Sequence, residues 1–292
     1  MIPTEFEYLR PRSMEEALGL LAQHGPEAKL LAGGHSLLPL MKLRLAAPKY
    51  LIDLGGLEQL SYVRDDGPEI AIGAMTPHAE VESSELIRRC CPLLAEAAAE
   101  IGDVQVRNRG TMGGSLAHAD PGADYPAAIL ALEAKIKVRS REGERTIEAA
   151  SFFLDLLTTA LQPREIILEV RVARDRERSG AAYVKLHQPA SGFAIVGTAA
   201  RLMLDPKGNC ETARIGVTGV GAKAYRAEAV EKALAGKRLT AALLAKASAM
   251  AAEGVEPLSD LHASAAYRLA MAEVITKRAL EKALDRARGG RR

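Results

Sequence analysis

Two short glycine segments hold the residue types best suited to binding chemistry in this chain. In the first, Ala32-Gly33-Gly34-His35-Ser36 follows a short apolar strand, Lys29 to Leu31. Adjacent glycines let the backbone reach positive φ and approach a ligand closely. Their amides and the Ser36 hydroxyl make a concave donor set suited to phosphate oxygens. The second, Gly110-Thr111-Met112-Gly113-Gly114-Ser115, repeats the device, with hydroxyls at Thr111 and Ser115 flanking the glycine pair. Neither segment is a Walker loop or a GxGxxG fingerprint. Either one alone is more often a tight turn. Two of them about eighty residues apart in one domain fit a diphosphate gripped from two sides.

No residue stands with the partners that a nucleophile or general base requires. His118-Ala119-Asp120 has the types for an acid–base pair or a metal, but it reads better as a positioning or surface histidine. The three cysteines, Cys90, Cys91 and Cys210, lack the spacing of a disulfide framework, zinc site or iron–sulfur site. Cys90-Cys91, just before Pro92, reads as packed thiols. Asp260 and Arg268 read as a structural tie for the last helix.

The elements that must position these residues alternate at first. Ser13 to Glu16 forms a capping box, with Glu16 reaching back to the Ser13 amide. A helix follows through Met14, Ala17, Leu18 and Leu21, stopping at Gly25. With strands at Lys29 to Leu31 and Tyr50 to Asp53, the opening is βαβ-like. Ile70 to Gly73 is a strand, and Thr76-Pro77 an N-cap with proline at the first helical position. Ser84 to Ile101 reads as one long helix and residues 102–125 as a glycine-rich loop, the kind of long loop that is usually functional. Pro126 restarts a helix. Strands follow at Lys135 to Arg139 and Glu165 to Val172, with a turn near Glu142-Gly143. The charged stretch Arg174 to Gly180 divides residues 1–176 (subdomains about 1–55 and 56–176) from residues 177–292. Beyond it come three strands, 181–187, 194–204 and 211–219, and three helices, 226–235, 240–253 and 264–288.

Composition bounds the classes. The 292 residues are 48% hydrophobic and 26% charged, an ordinary globular balance. No apolar run approaches the roughly 20 residues that span a bilayer. The N-terminus carries acids where a signal peptide carries bases, so a reducing cytoplasm is expected. Net charge is +2, with bases gathered over 277–292, among them Lys277, Arg278, Lys282, Arg286, Arg291 and Arg292. With no aromatics interleaved, this reads as a solvated, fraying helix end rather than a nucleic-acid surface.

The segments LLAGGHSLLPLMKLRL (30–45) and VQVRNRGTMGGSLAHADPGADYPA (104–127) carry a resemblance, supported by AYVKLHQPASGFAIVG (182–197) and SDLHASAAYR (259–268). The chain resembles, end to end, the FAD-binding medium subunits of molybdenum hydroxylases, and most nearly the carbon monoxide dehydrogenase type. The resemblance implies an α+β protein: a two-subdomain FAD-binding part of the vanillyl-alcohol-oxidase type, then a three-stranded antiparallel sheet with a helical bundle. It places Ala32, Gly33, Gly34, His35, Ser36 and Leu37 on the first flavin diphosphate loop, with His35 donating to phosphate or filling space. Thr111, Gly114 and Ser115 fall on the second, with Ala117 and Asp124 continuing along the cofactor. Asp124 accepts from a ribityl hydroxyl, caps the helix at Pro126, or does both. Lys185 is a surface charge or an electrostatic partner of reduced flavin, the role the resemblance favours, and Phe193 lies beside the isoalloxazine ring.

Two positions depart from the family pattern. Many relatives have Asn where this chain has Ser115, and Tyr where it has Phe193. The cysteine-rich insertion of relatives that reduce aromatic thioesters is missing. The resemblance implies an electron-transfer subunit with no catalytic side chain and no metal of its own. FAD would pass electrons from an iron–sulfur small subunit, while a molybdopterin-bearing large subunit oxidises the substrate. The alternatives are a stand-alone FAD oxidoreductase of the same fold and a module whose flavin is structural or absent.

Overall fold

A computed structural model describes residues 2–289. Among these residues, three sheets of three or more strands are laid out along the chain. The first is parallel, with strands β1 (Glu7–Leu9), β2 (Ala28–Leu31) and β3 (Tyr50–Asp53) in the order β1-β3-β2. Helix α1 (Met14–His24) crosses between β1 and β2 and buries Met14, Ala17, Leu18 and Leu21. Ser13 caps it by accepting from the Glu16 amide at 3.1 Å. The Glu16 carboxylate reaches back one residue further than expected, to the Arg12 amide at 2.7 Å. Helix α2 (Leu37–Lys42) follows the first glycine segment.

The second sheet has the order β4-β5-β10-β6-β7 and is antiparallel throughout. Its strands are β4 (Val63–Asp66), β5 (Glu69–Gly73), β6 (Lys135–Arg139), β7 (Glu144–Glu148) and β10 (Ile166–Ala173). A small hairpin, β8 (Phe153–Asp155) with β9 (Thr158–Thr159), lies apart from it. Edge strand β7 escapes sequence reading because four of its five residues are exposed, which leaves no alternation to detect.

Between β5 and β6 the chain makes six helices: α3 (His78–Ser83), α4 (Glu85–Cys90), α5 (Pro92–Ala99), α6 (Val104–Arg109), α7 (Met112–His118) and α8 (Asp124–Ala131). Three expectations change here. The single helix over 84–101 is two, broken where Cys91 leaves helical backbone ahead of Pro92, because proline disfavours the α region in the residue before it. The loop over 102–125 contains α6 and α7, each too short to show a helical period. Thr76 is not a cap. It is buried, exchanging bonds with the Tyr62 backbone in both directions, and α3 begins beyond Pro77.

The third sheet, β11 (Ser179–His187), β12 (Ala194–Leu204) and β13 (Cys210–Thr218), is an antiparallel meander. A fourth, two-residue strand β14 (Tyr225–Arg226) extends the expected three. Helices α9 (Glu228–Leu234), α10 (Ala241–Ser248) and α11 (Ala265–Ala287) cover one face. On the other face, α8 lies so close that a Cβ at Gly216 would stand 2.0 Å from the Ala127 carbonyl oxygen. One hydrophobic core therefore runs from the second sheet through α5 and α8 to Tyr183 and Ala199 of the third.

The helix end carrying the basic cluster is tied down rather than free. Arg286 pairs with Glu96 of α5 and donates to the Ala181 carbonyl, and Lys282 adds a 3.4 Å contact to Glu96. Arg291 and Arg292 lie outside the described residues. Among the described residues no helix is long and apolar enough to cross a membrane.

Candidate functional site

The first glycine segment leaves the C-terminal end of β2, the end of a parallel sheet where ligands bind in α/β architectures. Gly34 takes φ +77°, and its carbonyl accepts from Leu38 at 2.9 Å, launching α2. The second segment is the start of α7. Thr111 is its N-cap, its hydroxyl oxygen accepting from the Gly114 amide at 3.2 Å. Bonds from Met112 to the Thr76 carbonyl (3.0 Å) and from Gly113 to the Ala74 carbonyl (2.8 Å) seat this turn at the end of β5.

The two segments meet. A Cβ at Gly33 would stand 2.0 Å from the Arg109 carbonyl oxygen, and one at Gly114 would stand 3.5 Å from the Ala32 Cβ. Ala32, Gly33, Gly34, Ser36, Leu37, Gly114 and Ser115 are partly exposed around this junction, and His35 and Ala117 are exposed. Thr111 is buried, so it sets the turn from beneath. The first-turn amides of α7 are already bonded, Met112 and Gly113 to the Thr76 and Ala74 carbonyls and Gly114 to the Thr111 hydroxyl, so the donors at this rim are the amides of the Gly33–Leu37 turn with the Ser36 and Ser115 hydroxyls. That is a donor set with room for a diphosphate, and the residues present fit the group.

Past α7 the chain turns at Ala119, which adopts φ +51°, and runs along the third sheet. The Pro121 carbonyl accepts from the Gly219 amide and the Thr218 hydroxyl, each at 2.7 Å. The Gly122 carbonyl accepts from the Ala194 amide at 2.9 Å, and the Ala123 carbonyl from Thr218 at 2.8 Å. These bonds bring Phe193 beside Gly122 and Asp124 beneath β11. Phe193, in the turn between β11 and β12, keeps 45% of its surface exposed. It borders a cavity of about 190 Å³ whose lining includes Asp120, Gly122, Gln188, His262 and Arg268.

Asp124 opens α8 but caps nothing; Ala123 is the N-cap. The residue is only 3% exposed. One carboxylate oxygen accepts from the Tyr183 hydroxyl at 2.6 Å, and the Lys185 ammonium stands 2.9 Å from each of the two oxygens. Lys185 also donates to the Glu100 carbonyl at 2.7 Å, and its side chain is fully enclosed. It is therefore not a surface charge. Burial pushes the Asp124 carboxyl up to about 6, against the pull of Lys185 and Tyr183. Sequence reasoning missed Tyr183, although it stands two residues before Lys185 and so shares its face of the strand.

Other histidines sort by position. His118 lies 4.0 Å from Asp120 in a half-buried pair, and no metal-binding group of His, Cys, Asp or Glu occurs among the described residues. His78, unremarked in the sequence, is buried under Gly110 and packs edge-on to Tyr125. Burial holds its imidazole down to about 4, so it stays neutral. Arg268 donates to the Ile195 and Gly219 carbonyls and to Asp260, tying α11 to the sheet.

Comparison with known proteins identifies the family. Residues 4–174 match the FAD binding domain in molybdopterin dehydrogenase, and residues 181–283 match the CO dehydrogenase flavoprotein C-terminal domain. The carbon monoxide dehydrogenase medium chain of Hydrogenophaga pseudoflava is 43% identical, covering 98% of this chain and 99% of its own. A 6-hydroxypseudooxynicotine dehydrogenase complex subunit alpha from Paenarthrobacter nicotinovorans is 40% identical over 99% and 97%. A solved structure of the Hydrogenophaga pseudoflava carbon monoxide dehydrogenase, lacking the Mo-pyranopterin moiety, superposes with TM-score 0.95 at 45% identity, covering 98% of this chain and 99% of that one. The chain thus belongs to the FAD-binding medium subunits of the carbon monoxide dehydrogenase type of molybdenum hydroxylase.

Proposed function

We propose that this chain is the electron-transfer subunit of a cytoplasmic carbon monoxide dehydrogenase. It takes electrons from an iron–sulfur cluster on a small partner and delivers them to an external acceptor. A molybdenum-bearing large partner oxidises the substrate. FAD, when bound, supplies the one- and two-electron chemistry. The observation that carries the reading is the backbone contact between Gly33 and Arg109, which joins the two glycine turns into one rim.

Each residue then has a task in holding and tuning. Ala32 to Leu37 present amides and the Ser36 hydroxyl to the diphosphate, Ser115 adds its hydroxyl, and Gly114, without a side chain, lets the ligand approach closely. Thr111 orders the second turn, and His35 and Ala117 border the exposed edge. Phe193 stacks on the ring system without a phenolic bond. Lys185, held on Asp124, sets positive charge at the flavin edge, which favours an anionic reduced form. The family resemblance supports the placement of these residues along the cofactor. Binding is non-covalent.

The test is direct. The purified chain should show a flavin spectrum, and acid should release the chromophore into the supernatant. Coexpression with genes for an iron–sulfur chain and a molybdopterin chain should yield one assembly that oxidises carbon monoxide. Substrate-dependent dye reduction by the single, metal-free chain would overturn the subunit reading.

A further inference from the structure

We infer that Tyr183 is a positioning residue of the flavin site: seated in space left open by Gly197, its phenol fixes the Asp124 carboxylate on which Lys185 is held. The inference rests on the flavin reading above and extends it to residues that touch no ligand.

The geometry is tightly determined. Tyr183 and Lys185 are two apart on β11 and face α5 and α8 together. Opposite them, β12 places Ala199 across from Tyr183 and Gly197 across from Lys185. A Cβ at Gly197 would stand 2.3 Å from the Tyr183 hydroxyl oxygen and 2.9 Å from the Thr218 Cγ2. Any side chain there would push the hydroxyl away from Asp124. The Tyr183 backbone is pinned as well, its amide donating to the Glu96 carboxylate of α5 at 3.1 Å. Thr218 of β13 holds the Ala123 carbonyl at 2.8 Å, fixing the start of α8. The phenol thus reaches Asp124 with every flanking element anchored.

The charged and titratable groups around Asp124 are few: Lys185 and Tyr183 from β11, Glu100 beyond α5, and its helix neighbour Tyr125. Glu100 sends its carbonyl to Lys185, while its charge disfavours ionised Asp124. A buried carboxylate needs donors on both oxygens to stay charged. Lys185 reaches both oxygens, and Tyr183 adds a second, shorter donor to one of them. Without the phenol, Asp124 takes up a proton more readily and the Lys185 ammonium loses its counter-charge. A buried ammonium without its counter-charge is strongly destabilised and moves from its place, and with it moves the charge offered to a flavin.

Tyr183→Phe tests this in the full-length chain, since it keeps the ring and removes only the hydroxyl. The first readout needs no flavin: the infrared carboxyl band of protonated Asp124, assigned by its loss in Asp124→Asn. The band should titrate about tenfold more readily in Tyr183→Phe and persist to higher pH than in the wild type. The second readout is FAD affinity and midpoint potential, with binding expected to weaken about tenfold and the potential to shift. A purely structural tyrosine would lower the melting temperature while moving neither readout, and that result would overturn the inference. Failure of the wild-type chain to take up FAD would defeat the functional reading, while the infrared titration would still decide whether Tyr183 governs Asp124.

Discussion

A Cβ on Gly33 would stand 2.0 Å from the carbonyl oxygen of Arg109, so the turn after β2 and the end of α6 touch backbone to backbone. Gly33→Ala must separate them, at a cost of about 2–3 kcal/mol for forced overpacking, and FAD affinity should fall with it. Gly19, inside α1, has nothing within 4 Å of its Cβ position. Gly19→Ala should raise stability by about 0.5–1 kcal/mol through helix propensity. Urea denaturation of the two variants checks the opposite signs.

Gly34→Val and Gly114→Val should remove FAD binding more than they remove folding. Gly34 sits at φ +77°, where a side chain costs about 1–3 kcal/mol. At Gly114 a Cβ would stand 2.7 Å from the Thr111 hydroxyl oxygen that caps α7. Circular dichroism alongside flavin titration separates the two losses. Wild-type affinity in both would refute the diphosphate assignment.

Phe193→Ala should leave stability within about 0.5 kcal/mol, as surface changes usually do, because the ring is half exposed. Flavin potential, fluorescence and acceptor rates should change instead. A large loss of melting temperature with unaltered flavin properties would place the ring in the core.

Stability should carry a pH signature of Asp124. Its carboxyl, raised by burial to about 6 in the folded chain, has a value of about 3.9 when unfolded. Between those values the folded state binds more protons than the unfolded state, so this group's contribution rises as pH falls from about 6 towards 4. Asp124→Asn should abolish that component. Denaturation from pH 4 to 8 in both proteins measures it; parallel curves would show that Asp124 titrates normally.

Glu96 binds three groups of the C-terminal part: the Tyr183 amide, Arg286 and Lys282. Glu96→Gln keeps an acceptor for Tyr183 but loses the charge pairing, and should cost about 1.5–3 kcal/mol, the range for hydrogen bonds to charged groups. Hydrogen exchange should quicken at the end of α11 before it does in β13. Uniform exchange across both would mean that Glu96 does not hold the helix.

How much the chain declares depends on the range of each interaction. Local rules were enough for the Ser13 cap, the Gly25 stop, the three long strands after residue 178 and the glycine pairs, because each follows from neighbours a few residues away. The same rules read 84–101 as one helix and 102–125 as a loop. Two residues, Cys91 and Pro92, decide the first, and helices of six and seven residues show too little period for the second.

The types at Asp124, Lys185 and Phe193 were visible in the sequence, as was the diphosphate chemistry of two glycine turns. Their arrangement was not. That Gly33 meets Arg109, that Thr218 staples residues 121–123 to the third sheet, and that Asp124 turns inward to Tyr183 all depend on groups 59 to 97 positions apart. Burial is set by which surfaces pack together, and burial decides whether a carboxylate faces a ligand or a buried lysine. Pairing at that distance follows from the tertiary packing of α8 between two sheets, which no local pattern of residues encodes.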